Sequence, residues 1–189
     1  MKRQMILSAL VAFILLPTCI FVHELGHFAV AKSHGWNPRI FPAFVSYHLD
    51  HDPGNFPKIL FLTAGPFVDV CQVVIGILIL YTLRQRDSDS RGTLYWSGVV
   101  LAFVSIKWML TPLIACFVPS NDEIQISTLL GWHPMLLPII VMLIGIPVVV
   151  SVFKQHLRHG KIAPLLMVPL FGFLGAGVWT QLLGPQILR

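Results

Sequence analysis

The run MILSALVAFILLPTCIFVHELGHFAVA, Met5 to Ala31, decides the fold class. About twenty apolar residues are enough to cross roughly 30 Å of hydrocarbon as a helix, and this run supplies them. Near its far end it also carries His23-Glu24-Leu25-Gly26-His27. Ionisable groups at such a depth cost a few kcal/mol each and are functional by default. The rest of the chain repeats the apolar theme. Further runs extend from about Ile59 to Leu83, Leu94 to Val118, Met135 to Phe153 and Pro164 to Leu188. The expected fold is an all-α polytopic membrane protein with about five transmembrane helices, residues 1–189 forming a single membrane-embedded domain.

Composition agrees. The 189 residues are 56% hydrophobic and 11% charged, whereas a soluble domain carries about a quarter charged residues. So few charges do not coat a water-facing surface, and lipid is the expected solvent. The net charge of +5 does not point to nucleic acid, because the basic residues fall in short clusters between apolar runs. Cys19, Cys71 and Cys116 lie inside apolar runs with no Cys-x-x-Cys spacing. They read as small buried hydrophobes rather than a disulfide framework.

The amino-terminal Met-Lys-Arg followed by an apolar run has the outline of a signal peptide. The run is too long for a typical signal core, so an uncleaved first helix is expected. Between the first two spans, Lys32–Lys58 holds Pro38, Pro42, Pro53 and Pro57 around Ile40-Phe41 and Ala43-Phe44-Val45-Ser46-Tyr47. These favour extended backbone, so a short hairpin or re-entrant segment is expected there. The other connections are Arg84–Arg91, Pro119–His133 and Lys154–Lys161.

Two histidines at i and i+4 share one helix face. That spacing brings both imidazoles to one tetrahedral zinc at about 2.0–2.1 Å, and the intervening glutamate reaches a water there as general base. The alternative is a polar cluster that joins helices through hydrogen bonds; three ionisable residues within five positions is a costly way to obtain that. Zinc needs a third protein ligand, and Asp69, Asp122, Glu123 and the remaining histidines are available. Span counting places Asp122 on the side of His23 and His27. Ser120-x-x-Glu123 also reads as a capping box for a short helix ending at Gly131, and acids in a first turn suit the helix dipole. The ligand reading is preferred for Asp122 and the capping reading for Glu123. In Ala64-Gly65-Pro66, the proline suits a helix start and Gly65 admits close approach of another helix. Asp69 would then project from the first turn of the second helix, as a ligand, a partner of a ligating histidine or a substrate-orienting group.

At these residues the sequence resembles the site-2 protease family of intramembrane zinc metalloproteases. The matches are His23-Glu24-Leu25-Gly26-His27 in the first helix, Ala64-Gly65-Pro66 in the second and Asn121-Asp122-Glu123 after the third, together covering roughly residues 5–130. The family usually has asparagine where Asp69 stands, and glycine often follows its ligand aspartate where Glu123 stands. The resemblance implies one zinc per chain held by His23, His27 and Asp122, with Glu24 activating water. Asp69, Gly65, Pro66 and Asn121 are expected to orient substrate or support the ligands. The implied reaction is hydrolysis of peptide bonds in or near transmembrane segments of membrane proteins, with the lipid bilayer as the other partner.

Two rival readings exist. His48-x-x-His51 and His156-x-x-His159, added to His23 and His27, suggest a membrane di-iron hydroxylase or desaturase, although span counting puts His156 and His159 across the membrane from His23. The other rival is a non-enzymatic scaffold with a structural zinc site. For topology, Lys2, Arg3, Arg84, Arg86, Arg91, Lys154, Arg158 and Lys161 share one side. Lys32, Arg39, Lys58 and Arg189 share the other, and Lys107 is left within the third span. The excess predicts a cytoplasmic amino terminus, and a multi-pass protein of the cell membrane is expected.

Overall fold

The computed structural model describes residues 2–48, 52–83, 92–117, 121–157 and 162–188. In chain order the elements are α1 (Lys2–Ser33), β1 (Asn37–Phe41), β2 (Phe44–His48), α2 (Asn55–Thr82), α3 (Thr93–Phe103), α4 (Ser105–Phe117), α5 (Asp122–Leu129), α6 (Leu136–Leu157) and α7 (Ile162–Val178). A π-helical turn, Trp179–Leu183, leads into α8 (Gly184–Ile187). Five helical stretches among the described residues are long and apolar enough to cross a membrane: 2–33, 55–82, 93–117, 136–156 and 162–187. The fold is therefore all-α and polytopic, with one small sheet.

The helices are patterned for lipid. On α2, Phe67, Val70, Val74, Leu78 and Tyr81 are exposed at spacings of three and four, which makes one outward stripe. Asp69 and Gln72 are buried on the inner side. Polar groups inward and apolar groups outward is the arrangement an oil-like solvent selects. Cys19 is buried as expected, but Cys71 and Cys116 are exposed on the outer surface, where apolar surroundings suit a thiol equally well.

Close approaches set the helix crossings. A Cβ at Gly26 would lie 2.8 Å from the Ala64 carbonyl oxygen, so α1 and α2 touch backbone to backbone there. On α7, a Cβ at Gly175 would strike the Phe13 carbonyl and one at Gly172 would come within 2.8 Å of Leu16 Cδ2. These small residues let α7 lie directly on α1. Tyr95, Trp96, Val99, Val100, Leu165 and Val168 form the main buried cluster beside them.

The segment after α1 is a hairpin. β1 and β2 pair antiparallel from Asn37↔His48 to Phe41↔Phe44, with the Phe41 and Phe44 rings stacked at 4.4 Å. The Trp179 indole N–H donates to the Pro42 carbonyl at 3.0 Å, which ties the turn to the end of α7.

One expectation about a helix boundary needs correction. Pro66 does not open the second helix; it lies inside α2, which begins at Asn55. The proline of the first turn is Pro57, where a missing N–H costs nothing. A mid-helix proline is tolerated in a membrane because neighbouring groups satisfy the freed carbonyl. The third span carries an irregular turn between α3 and α4. It breaks at Val104, whose N–H bonds to Leu101 O at 3.2 Å while Lys107 N–H bonds to Val104 O at 3.0 Å. This tightened turn rotates α4 relative to α3, one turn before Lys107.

Candidate metal centre

His23 and His27 lie one turn apart on the buried face of α1, and their Nε2 atoms are 3.2 Å apart. Asp122 is the first residue of α5. Its Oδ2 is 3.4 Å from His23 Nε2 and 3.3 Å from His27 Nε2. Three ligand-type atoms thus form a nearly equilateral triangle, and among the described residues this is the one group of three or more such side chains that could hold a metal ion. The structure brings together residues nearly a hundred positions apart in sequence.

The local fold explains how Asp122 arrives. Asn121 Oδ1 accepts the Ile124 N–H at 2.9 Å, so Asn121 is the residue that caps α5. This corrects the expected capping box. Ser120 lies outside the described residues, and the helix starts one residue later than the box requires. Asn121 therefore sets the direction of the first turn, and with it the Asp122 side chain. Glu123 is buried and lines a cavity. Burial pushes its carboxyl above the usual range, while Lys107 pulls the other way. Burial also opposes charge on Asp122; imidazoles that carry a proton on the facing Nε2 outweigh it and hold that carboxyl well below the usual range.

The far side of each imidazole is fixed. His27 Nδ1 donates to the Phe61 carbonyl at 2.7 Å, and a carbonyl only accepts, so Nδ1 carries the proton. His23 Nδ1 is 3.0 Å from Asp69 Oδ2, which also accepts from Lys107 Nζ at 3.1 Å. Each ring therefore turns an Nε2 lone pair toward Asp122. Two lone pairs and an ionised carboxylate meeting at 3.2–3.4 Å repel one another unless a proton or a cation lies between them. A proton relieves one contact; a cation relieves all three.

Gly65 is the floor of this arrangement. A Cβ there would collide with His27 Nε2 and lie 2.5 Å from His23 Nε2. Asp69 sits mid-helix on α2 rather than in a first turn, and of the three roles open to it the structure gives it that of hydrogen-bond partner to His23. Pro66 lines neither cavity at the site. Lys107 was left unassigned by the sequence. The signal was present, since a basic residue in the middle of a span demands a partner; the identity of that partner depends on the break at Val104.

Glu24 is buried and lines two cavities that meet at His23. One, of about 350 Å³, is walled by Leu16, Ile20, Phe103, Leu110, Val168 and Phe173 from α1, α3, α4 and α7. The other, of about 380 Å³, lies under the hairpin and is bordered by His27, Phe44, Tyr47, Thr111, Asn121 and Asp122. The first is almost wholly apolar; the second mixes polar and apolar walls. His156 is not part of this site. It bonds Tyr95 OH at 2.9 Å and Val152 O at 2.8 Å, toward the amino end of α1. His48 ends β2, and His51 and His159 lie outside the described residues.

No protein-family model, curated protein or solved structure matches this chain.

Proposed function

We propose that the chain is an intramembrane zinc metalloprotease of the site-2 type, with one zinc held by His23, His27 and Asp122. The observation that carries this reading is the triangle of donor atoms. Zinc bonds of about 2.0–2.1 Å at tetrahedral angles place ligand atoms about 3.3–3.4 Å apart, and the three edges here are 3.2, 3.3 and 3.4 Å. Two neutral imidazoles and a carboxylate are also the donor chemistry zinc takes in hydrolytic sites, with a fourth position left open. The backing of His27 by a carbonyl and of His23 by Asp69 matches the supporting bonds that ligating histidines make.

Bound there, zinc supplies Lewis acidity that makes water acidic near neutral pH and polarises a carbonyl. The residues of the chain do the rest. Glu24 takes a proton from water as oxygen bonds to the carbonyl carbon, then returns it to the amine nitrogen as the C–N bond breaks. The products are a carboxylic acid and an amine. The apolar cavity takes side chains of a membrane-spanning substrate, and the hairpin over the polar cavity offers Phe41–Tyr47 to an unwound substrate segment by strand addition.

The decisive comparison is Glu24→Gln beside wild type. An amide of the same shape cannot accept the proton, so zinc stays at one per chain while cleavage of single-span membrane substrates, read as new peptide termini, falls by about 10³-fold. Wild-type rates in Glu24→Gln would remove Glu24 from the mechanism. Two irons in place of one zinc would favour a hydroxylase. The charge bias supports a cytoplasmic amino terminus, and the cell membrane is the proposed location. In a chain freed of its own cysteines, Ser88→Cys is then labelled from the cytoplasmic face and Ser120→Cys from the opposite face. Labelling of both from one face rejects five spans.

A further inference from the structure

Five residues line both cavities: His23, Glu24, Ala43, Lys107 and Ile114. They mark the seam where an apolar substrate segment meets the polar compartment, and a carbonyl attacked there needs a hydrogen-bond donor for its oxygen. Ala43 and Ile114 have no polar side-chain atom. Ionised Glu24 only accepts. The Nδ1 proton of His23 is committed to Asp69, and its Nε2 faces His27 and Asp122. Lys107 is the remaining side-chain donor at the seam. Its ammonium carries three N–H groups. One reaches Asp69 Oδ2 at 3.1 Å. The nearby His23 Nδ1, at 3.4 Å, carries its own proton and does not accept. The Lys107 side chain is 44% exposed while that of Asp69 is 4% exposed, so the carboxylate anchors the ammonium from the buried side and the rest of it opens to the cavities.

We infer that Lys107 is a further catalytic residue, which donates an N–H to the oxygen of the scissile carbonyl as that oxygen gains negative charge; this rests on the hydrolytic reading above. When water adds to the carbonyl carbon, the C=O electron pair moves onto oxygen and the Lys107 N–H binds it. When the C–N bond breaks, the pair returns and the bond to Lys107 weakens. A donor fixed before the reaction, in a site with little water, stabilises such charge far more than a donor in bulk solvent does. Asp69 has two tasks in this scheme: it holds the His23 tautomer and it aims the ammonium.

The test uses the full chain in detergent with its zinc. Three readings are taken: zinc per chain, cleavage kinetics, and the affinity of a phosphinic peptide, whose tetrahedral oxygens mimic the charged oxygen. Lys107→Met is expected to keep one zinc and its KM, to lose about 10²–10³-fold in kcat, and to bind the phosphinic peptide more weakly by a comparable factor. Lys107→Gln, which retains a neutral N–H donor, is expected to recover at least about tenfold of either loss. Full zinc with unchanged phosphinic affinity in Lys107→Met overturns the inference, as does Lys107→Gln being no better than Lys107→Met. Loss of zinc in Lys107→Met also overturns it, because Lys107 would then act through Asp69 on His23. Should Lys107→Met fail to fold, Lys107→Gln against Lys107→Arg decides: Arg is expected near wild type and Gln weaker, and equal values reject the donor role. Wild-type protein without zinc or proteolysis is a different result, and it removes the hydrolytic reading itself.

Discussion

Two polar clusters are buried between helices at opposite ends of this bundle, and they are built on different rules. Near the start of α1, the Trp96 indole N–H donates to Gln4 Oε1 at 2.7 Å. His156 Nδ1 donates to Val152 O, and its Nε2 is hydrogen-bonded to Tyr95 OH. None of these four side chains is an acid, a lysine or an arginine. Near the end of α1 the balance is upset. Glu24, Asp69, Asp122 and Glu123 crowd one cation, Lys107, and the two imidazoles add lone pairs rather than protons to the meeting point. Depth in the membrane is common to both clusters, so depth alone does not mark chemistry. The first cluster joins helices, as intramembrane hydrogen bonds do. In the second, acceptors outnumber donors, and a surplus of acceptors calls for a cation.

The contrast predicts where substitutions act. The largest effects are expected at the acceptor-rich end. Asp122→Ala removes one corner of the triangle, and Gly65→Ala drives a methyl group into both imidazoles. Each should bring zinc from one per chain to near zero by metal analysis. Gly177→Ala, where a Cβ meets nothing within 4 Å, should leave zinc unchanged. Zinc retained in Asp122→Ala but lost in Asp69→Ala would transfer the third ligand to Asp69. The smallest effect is expected at the matched end. Tyr95→Phe deletes the hydrogen bond to His156 and should cost about 1 kcal/mol of stability, read as a modest fall in thermal midpoint, with zinc and cleavage unaltered. If Tyr95→Phe lowers zinc content as Asp122→Ala does, the two ends are coupled and the distinction between them fails.

The sequence disclosed what is local or periodic. Span positions follow from apolar runs, the hairpin from proline spacing and β-branched and aromatic residues, and the His23–His27 pair from helical pitch. Asp122 was reachable because counting spans fixes a side of the membrane. What stayed hidden depends on how neighbours satisfy a backbone or a charge. Pro66 looked like a helix start because prolines usually are; Pro57, nine residues earlier, takes that place. Asn121 and Ser120 are both good caps, and only the realised first turn of α5 selects Asn121. Lys107 was visible as an anomaly without a role, because its partner Asp69 lies on another helix and the angle between them is set by the irregular turn at Val104.

The packing of α1 against α7 has a consequence in time. A chain is made from its amino end at ~5–20 residues per second, so α1 waits on the order of ten seconds for its α7 partner to be synthesised. By then every residue of the triangle, Glu24 and Lys107 have been made, yet the wall that Val168 and Phe173 contribute to the apolar cavity has not. The chemical groups of this site are thus completed well before the chamber around them, and the first helix made is the last to be enclosed.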